Sequence, residues 1–243
     1  MVAVRIVDVG DEESFGRIPM CADSSFDHRT CDYWEDANRG SKSSRPAWLD
    51  PAPITRPSNP ALAANPFAPP PRAPVLNPFA ADSDDEAMDN PFAPQAVRER
   101  PLREGVPRKL ALLDRGRGVF GSYAKTLLVD DEPAAYCQFG PLSAYPRASR
   151  LRELYPQLPS SPLPAVITCI ASTAAARHGG HAKQLVEEVC RDLAERGFSA
   201  VEAYPDLTLA ENDASGARPG FWHELGFATA VDDERYPVMR REL

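Results

Sequence analysis

Two glycines set between an apolar run and an amphipathic pattern are the residues of this chain best placed to do chemistry. Gly179 and Gly180 follow residues 165–170, where Val166, Ile167 and Ile170 predict a buried strand. They precede a segment whose apolar positions Ala182, Leu185, Val186, Val189, Cys190, Leu193 and Ala194 recur with the spacing of a one-sided helix. A glycine turn that opens a helix after a buried strand is an anion site. Unpaired N–H groups and the helix dipole favour a phosphate, and glycines let it come close to the backbone. The chain carries neither the Gly-Lys-Ser/Thr of a P-loop nor the Gly-x-Gly-x-x-Gly of a dinucleotide fold. Taken alone, the glycine pair would equally serve a plain crossover.

The elements that must hold this turn follow directly. Gly197 supplies the position where a helix ends with φ above zero, and residues 198–204 predict a second strand. The short link predicts a parallel pair with a right-handed crossover. Alternation on the second strand puts Phe198, Ala200, Glu202 and Tyr204 on one face, so an ionisable carboxyl shares a face with apolar side chains. Such a carboxyl suits two roles: a base whose pKa is raised towards the working range, or an ion pair with a structural arginine.

The rest of the chain divides by composition into residues 1–10, 11–44, 45–107 and 108–243. Residues 2–9 alternate as a first strand, and 11–44 are polar and irregular, with Tyr33 and Trp34 available for packing. Cys21, His28 and Cys31 lie in this segment, but their spacing fits no usual zinc pattern and no fourth ligand is evident, so no metal is expected. Residues 45–107 hold 15 of the 26 prolines, and so few residues that could build a core that disorder is expected. This insertion repeats Asn65-Pro66-Phe67-Ala68 at Asn77-Pro78-Phe79-Ala80 and Asn90-Pro91-Phe92-Ala93. The triplets resemble peptides bound by the EH domains of membrane-traffic proteins, which implies a peptide-binding partner; composition drift or tandem duplication explains them as well.

In the last part, 109–115 predict a short helix, 119–130 a strand, Asp131-Glu132-Pro133 a turn and 134–139 its hairpin mate. Residues 140–164 read as a long connection carrying Tyr145, Tyr155, Arg147, Arg150 and Arg152, of the kind that often shapes a binding site. Residues 221–227 predict a short helix feeding a strand at 227–231, with 236–243 as its antiparallel mate. The fold class is α/β in the mixed α+β sense, a mixed central sheet with helices on both faces.

Net charge and cysteine use bound the partners. A net charge of −8 and a pI near 5.1 argue against nucleic acid and suit a cationic acceptor. Five scattered cysteines, two of them inside apolar elements, suit a reducing compartment. No run approaches a membrane span and residues 1–9 lack the pattern of a secretory signal, so a cytoplasmic protein is expected.

Arg177-His178-Gly179-Gly180-His181-Ala182 matches the Arg/Gln-x-x-Gly-x-Gly/Ala signature of the GNAT superfamily of acyl-CoA-dependent N-acetyltransferases. Phe221-Trp222-x-x-Leu225-Gly226-Phe227 is similar to the same family's later helix, which ends in Gly-Phe. The resemblance covers residues 108–243, with 2–9 as the first strand. It implies acetyl-CoA as co-substrate, lying between the two central strands. Ile170, Ala171 and Ser172 would bond the pantetheine arm through their backbone, and Arg177, His178, Gly179, Gly180, His181 and Ala182 would frame the pyrophosphate. It further implies attack of an amine, from a small molecule or a protein lysine, on the thioester. A free alkylamine is mostly protonated at neutral pH, so a base is needed, and Glu202 is the carboxylate placed for it. Where relatives carry a tyrosine as acid for the departing thiolate, this chain has Trp222, which leaves Tyr204, Tyr236 or solvent. Two other readings stay open: a catalytically silent CoA-binding module, and an adaptor acting through its Asn-Pro-Phe repeats.

Overall fold

The computed structural model describes residues 3–20, 27–35, 106–114, 116–207, 216 and 218–243. All belong to one unit, Met1–Pro51 with Leu102–Leu243. Cys21, the three Asn-Pro-Phe repeats and nearly all of the Pro-rich insertion lie outside the described residues.

Seven strands form one sheet in the order β1-β2-β3-β4-β5-β7-β6. They are β1 (Val4–Asp8), β2 (Ala124–Val129), β3 (Glu132–Pro141), β4 (Ala165–Ser172), β5 (Ala200–Ala203), β6 (Ala228–Val231) and β7 (Val238–Glu242). Every pairing is antiparallel except β4 with β5, the pair joined by the crossover helix. The helices are α1 (Glu12–Gly16), α2 (Arg108–Asp114), α3 (Arg117–Phe120), α4 (Pro146–Glu153), α5 (His181–Glu195) and α6 (Pro219–His223).

The expected mixed sheet with covered faces is therefore present, and its two faces build two separate cores. On one side α5 lays Leu185, Val186, Val189, Cys190 and Leu193 on Leu127, Cys137, Phe139, Ile167 and Val201, and α6 adds Trp222. On the other, Leu110, Leu113, Leu151, Tyr33 and Trp34 cover Tyr136, Val166 and Tyr204. Ala194, counted in the apolar stripe of α5, is exposed. At Gly197 the chain leaves α5 with φ of 85°, as a C′ glycine should.

Several boundaries differ from expectation for physical reasons. The segment 119–130 is not one strand: Arg117–Phe120 is a helical turn ended by Gly121 at φ 94°, and the strand begins at Ala124. The β2–β3 turn is Asp130-Asp131, both at positive φ (49° and 67°), tighter than the turn expected at Asp131-Glu132-Pro133. Two consecutive positive φ values match the right-handed twist of the flanking strands, so pairing runs on to Val129↔Glu132. Segment 11–44, read as irregular, contains α1, whose Asp11 caps the Ser14 N–H at 2.8 Å while Ser14 answers the Asp11 N–H.

The connection 140–164, read as a proline-punctuated loop, contains α4. Pro146 stands at its first turn, where a missing N–H costs nothing, and Ala148 and Leu151 turn inward. Two of its arginines, Arg147 and Arg152, turn inward too. Arg147 is buried with its guanidinium 4.6 Å from the Tyr33 ring centroid.

A charged cluster ties α5 to the start of β2. Asp192 meets Lys125 Nζ at 2.8 Å and Arg196 at 2.6 Å, and Arg196 also donates to the carbonyls of Phe120 and Ser122. Burial alone would raise the Asp192 carboxyl, but hydrogen bonds from Lys125 and Arg196 outweigh it and hold the pKa below 3.8. A depressed folded-state pKa means stability that is present above the unfolded value and lost as pH falls through the folded one. Urea titrations across the acid range should show stability dropping below about pH 4. Asp192→Asn should be less stable at pH 7 and show a shallower acid loss; an unchanged slope would mean the cluster contributes nothing.

Candidate functional site

The parting of β4 from β5 makes the site. Their pairing covers Ala165↔Val201, Val166↔Glu202 and Ile167↔Ala203 and then stops, while β4 runs on to Ser172 against β3. The register of β3 on β4 steps from Phe139↔Ile167 to Gln138↔Cys169, so Thr168 is an extra residue. A bulge bends its strand and sharpens the local twist, and this one stands where β5 departs. On the β5 side, Pro205 follows Tyr204 and has no N–H to continue a ladder. From residue 168 to 172 one edge of β4 has no strand partner among the described residues.

Ile170, Ala171 and Ser172 lie on that open edge, half-buried. Gly216 passes over it so closely that a Cβ there would fall 2.6 Å from Ile170 Cγ2. Trp222 walls the same side, buried between the rings of Phe221 and Phe227 with its Nε1 donating to the Gly216 carbonyl at 2.9 Å. It is a core residue that holds the Gly216 backbone in place.

Beyond Ser172 the chain turns through Arg177 to Gly180 into α5. His178 and Gly180 both adopt positive φ, 63° and 76°. The first bond of the helix runs from the Gln184 N–H to the Gly180 carbonyl, so the N–H groups of His181, Ala182 and Lys183 have no backbone partner among the described residues. A Cβ on Gly180 would meet nothing within 4 Å, so the turn opens outward. The His181 ring lies over Gly179, and its Nδ1 is buried without a partner among the described residues. The glycine turn thus follows the open strand edge along the chain, with residues 173–176 between them.

Glu202 is fully buried, and its surroundings are those of an ion pair. Oε1 accepts from Arg240 at 2.8 Å and from Arg152 at 3.4 Å; Oε2 accepts from Arg152 at 3.0 Å and from the Tyr204 hydroxyl at 2.7 Å. A carboxylate offers about four lone-pair sites, so this one has none left for a substrate proton. Of the two roles open to it, the geometry favours pairing with structural arginines. Arg240 lies directly across the β5–β7 ladder and Arg152 arrives from α4, and neither is near Glu202 in sequence. Phe198, grouped with Glu202 by alternation, lies before β5 and packs on the α5 side instead.

The tyrosines considered as acids are likewise engaged. Burial raises the Tyr204 hydroxyl well above 10, and its proton points at Glu202. Burial also raises Tyr236, which donates to Asp206 at 3.0 Å. Cys137 and Cys190 have thiols pushed up by burial, the latter to about 11.

One juxtaposition went unread in the sequence. Cys169, on the open edge of β4, has its Sγ 3.4 Å from Nδ1 of His28, a residue 141 positions earlier. No local pattern could signal such a contact. Of the set Cys21, His28 and Cys31, Cys21 lies outside the described residues, so the structure does not test that set as metal ligands.

No family model and no curated protein matches this chain. Solved structures similar to it include the PaiA N-acetyltransferase from Thermoplasma acidophilum in complex with coenzyme A, at 11% identity and TM-score 0.39 over 56% of this chain and 70% of that one. Another is an acetyltransferase of the GNAT family from Desulfovibrio desulfuricans, at 18% and 0.36 over 55% and 78%. A third is the GNAT family N-acetyltransferase YhbS from Escherichia coli in complex with CoA, at 17% and 0.34 over 55% and 66%. At these scores the weight rests on this chain's own geometry.

The ion-pair role of Glu202 has a measurable consequence. Removing one charge of a buried pair strands the other, at a cost of about 3–5 kcal/mol. Glu202→Gln should lose that much stability in urea titration, and a loss under about 1 kcal/mol would return Glu202 to consideration as a base.

Proposed function

We propose that this chain is an acyl-CoA-dependent N-acetyltransferase of the GNAT type. One observation carries the reading: the edge of β4 without a strand partner among the described residues is followed, after residues 173–180, by the start of α5, whose first N–H groups have no backbone partner among those residues. A strand edge offers alternating N–H and C=O groups, which suit the two amides of a pantetheine arm. The helix start beyond it offers N–H groups and a positive dipole end to a pyrophosphate. The signature Arg177-x-x-Gly180-x-Ala182 falls on that turn, and Gly180 leaves the space that a diphosphate needs.

The chemistry follows from the cleft. A backbone N–H near Ile170 would polarise the thioester carbonyl and hold the oxyanion that forms when an amine adds to it. Gly216 and Trp222 would close the cleft over the arm and keep water from the thioester. The acceptor is an amine, free or on a protein lysine, and the net charge of −8 favours the approach of a cationic one. Glu202 serves this site from behind by fixing Arg152, Arg240 and Tyr204. Asn-Pro-Phe recognition by a partner would be a separate activity of the insertion.

Gly180→Glu tests the assignment. Facing a diphosphate, the added carboxylate brings like charges together at a cost of several kcal/mol, so calorimetric affinity for coenzyme A should fall by roughly a hundredfold or more. Circular dichroism should be unchanged. Gly180→Lys imposes the same backbone strain with the opposite charge and should retain binding; loss in both variants would trace the effect to strain rather than to the site.

A further inference from the structure

The face of the sheet opposite α5 holds a cavity of about 280 Å³, near the lower bound for small-molecule sites. Its wall residues Leu113, Tyr123 and Tyr145 belong to the core on that face, so it lies across the sheet from α5 and the glycine turn. The rest of the wall is mostly apolar: Leu112 comes from α2, Pro141 from the end of β3 and Pro146 from α4. Tyr145 offers only its ring, because its hydroxyl is taken up by the Phe139 carbonyl at 2.7 Å.

Two polar side chains on this wall are almost wholly buried and incompletely bonded. Glu35, 8% exposed at its side chain, accepts at Oε1 from Lys109 Nζ and, at 2.7 Å, from Gln138 Nε2. Its Oε2 is buried with no hydrogen-bond partner among the described residues. Tyr123 is 7% exposed, and its hydroxyl makes no hydrogen bond among those residues. Gly116, on the same wall, leaves that hydroxyl uncovered: it stands at φ 79°, and a Cβ there would fall 2.9 Å from the oxygen. Buried polar atoms without partners cost free energy, so two of them on one cavity call for a ligand that completes them.

We propose that this cavity binds a small primary amine, with its ammonium on Glu35 and its hydrocarbon body against Leu112, Leu113 and Pro146. A carboxylate only accepts, so the ligand must donate. Among the described residues no Lys, Arg or His lines the cavity, so an anion would find no counter-charge there. An ammonium brings three donors and a charge-assisted bond roughly twice as strong as a neutral one. Lys109 does not fill this role, since its Nζ is taken up by Glu35 Oε1 and, at 2.8 Å, by Gln138 Oε1. The Tyr123 hydroxyl supplies a second polar contact, and the net charge of −8 draws cations towards the protein. The site is separate from the coenzyme site and does not depend on the acyltransferase reading.

Isoamylamine and its neutral counterpart, isoamyl alcohol, test this by calorimetry on the full chain. The amine should bind, and the alcohol should bind roughly tenfold more weakly or worse. Glu35→Gln should weaken the amine by roughly tenfold or more, and Tyr123→Phe by about threefold. Because Glu35→Gln also strands the Lys109 charge, Ala144→Phe gives an independent check. Ala144 is half-buried on the wall, and a phenyl ring there fills the space without removing a charge. It should abolish amine binding while circular dichroism stays unchanged. Alcohol binding as tight as amine binding, or amine binding that survives Ala144→Phe, would overturn the site. Acetyl-CoA then separates two sources of the amine: an acetylated product lost in Ala144→Phe makes it the acceptor, and amine recovered unchanged makes it a ligand of this cavity alone. Coenzyme A affinity should stay within about threefold of the parent in each variant. A parent that binds the amine but not coenzyme A would remove the acyltransferase reading and leave this site standing.

Discussion

A single inserted residue in β4 governs the arrangement of the molecule. Thr168 has no partner of its own in the β3 ladder, and around it the strand bends, pairing with β5 ends and alternation reverses. Each consequence supplies one part of the site. The bend exposes a backbone edge, the loss of pairing leaves its polar groups without a strand partner among the described residues, and the reversal presents a different set of side chains to each core. A strand whose backbone groups are unsatisfied is costly inside a protein. The fold tolerates it because β4 remains fixed to β3 along its other edge, from Ala165 to Ser172.

The energetic support for this open edge comes from both faces of the sheet. Behind it, α5 is anchored by five fully or nearly fully buried aliphatic and thiol side chains and by the Asp192–Lys125–Arg196 cluster, which fixes the glycine turn relative to the sheet. In front, the Glu202 carboxylate gathers α4, β5 and β7 around one buried charge. Replacing that hub by apolar side chains could be equally stable, since desolvation offsets most of what a buried pair gains. What the charges add is direction: Arg152 and Arg240 can satisfy Glu202 only with α4 and β7 in place, so the cluster specifies one packing among several apolar alternatives.

The sequence carried the fold further than the site. The spacing of Leu185, Val186, Val189 and Leu193, the glycine at 197 and the apolar run before the turn were readable because they obey local periods of two and of three to four residues. Helix α4 was missed because Pro146 reads as a breaker unless it is recognised as a first-turn residue, and because Arg147 and Arg152 look solvent-facing until Tyr33 and Glu202 are seen to receive them. The glycine turn was legible for the same local reason as α5. Glu202 was legible as a buried carboxylate but not as a saturated one, since its partners lie 50 and 38 residues away. A bulge has no local signature either, and with it went the direction of Cys169.

The replacement at position 222 gains a reason from this geometry. An indole offers one donor and no acceptor, and here that donor is spent on the Gly216 carbonyl while the ring fills the space between Phe221 and Phe227. The chain therefore uses the position to build the wall of the cleft. The phase reversal at Thr168 sends Ile170 to the α5 face beside Gly216 and turns Cys169 towards His28 on the other, so the two faces of β4 meet different partners because of one bulge.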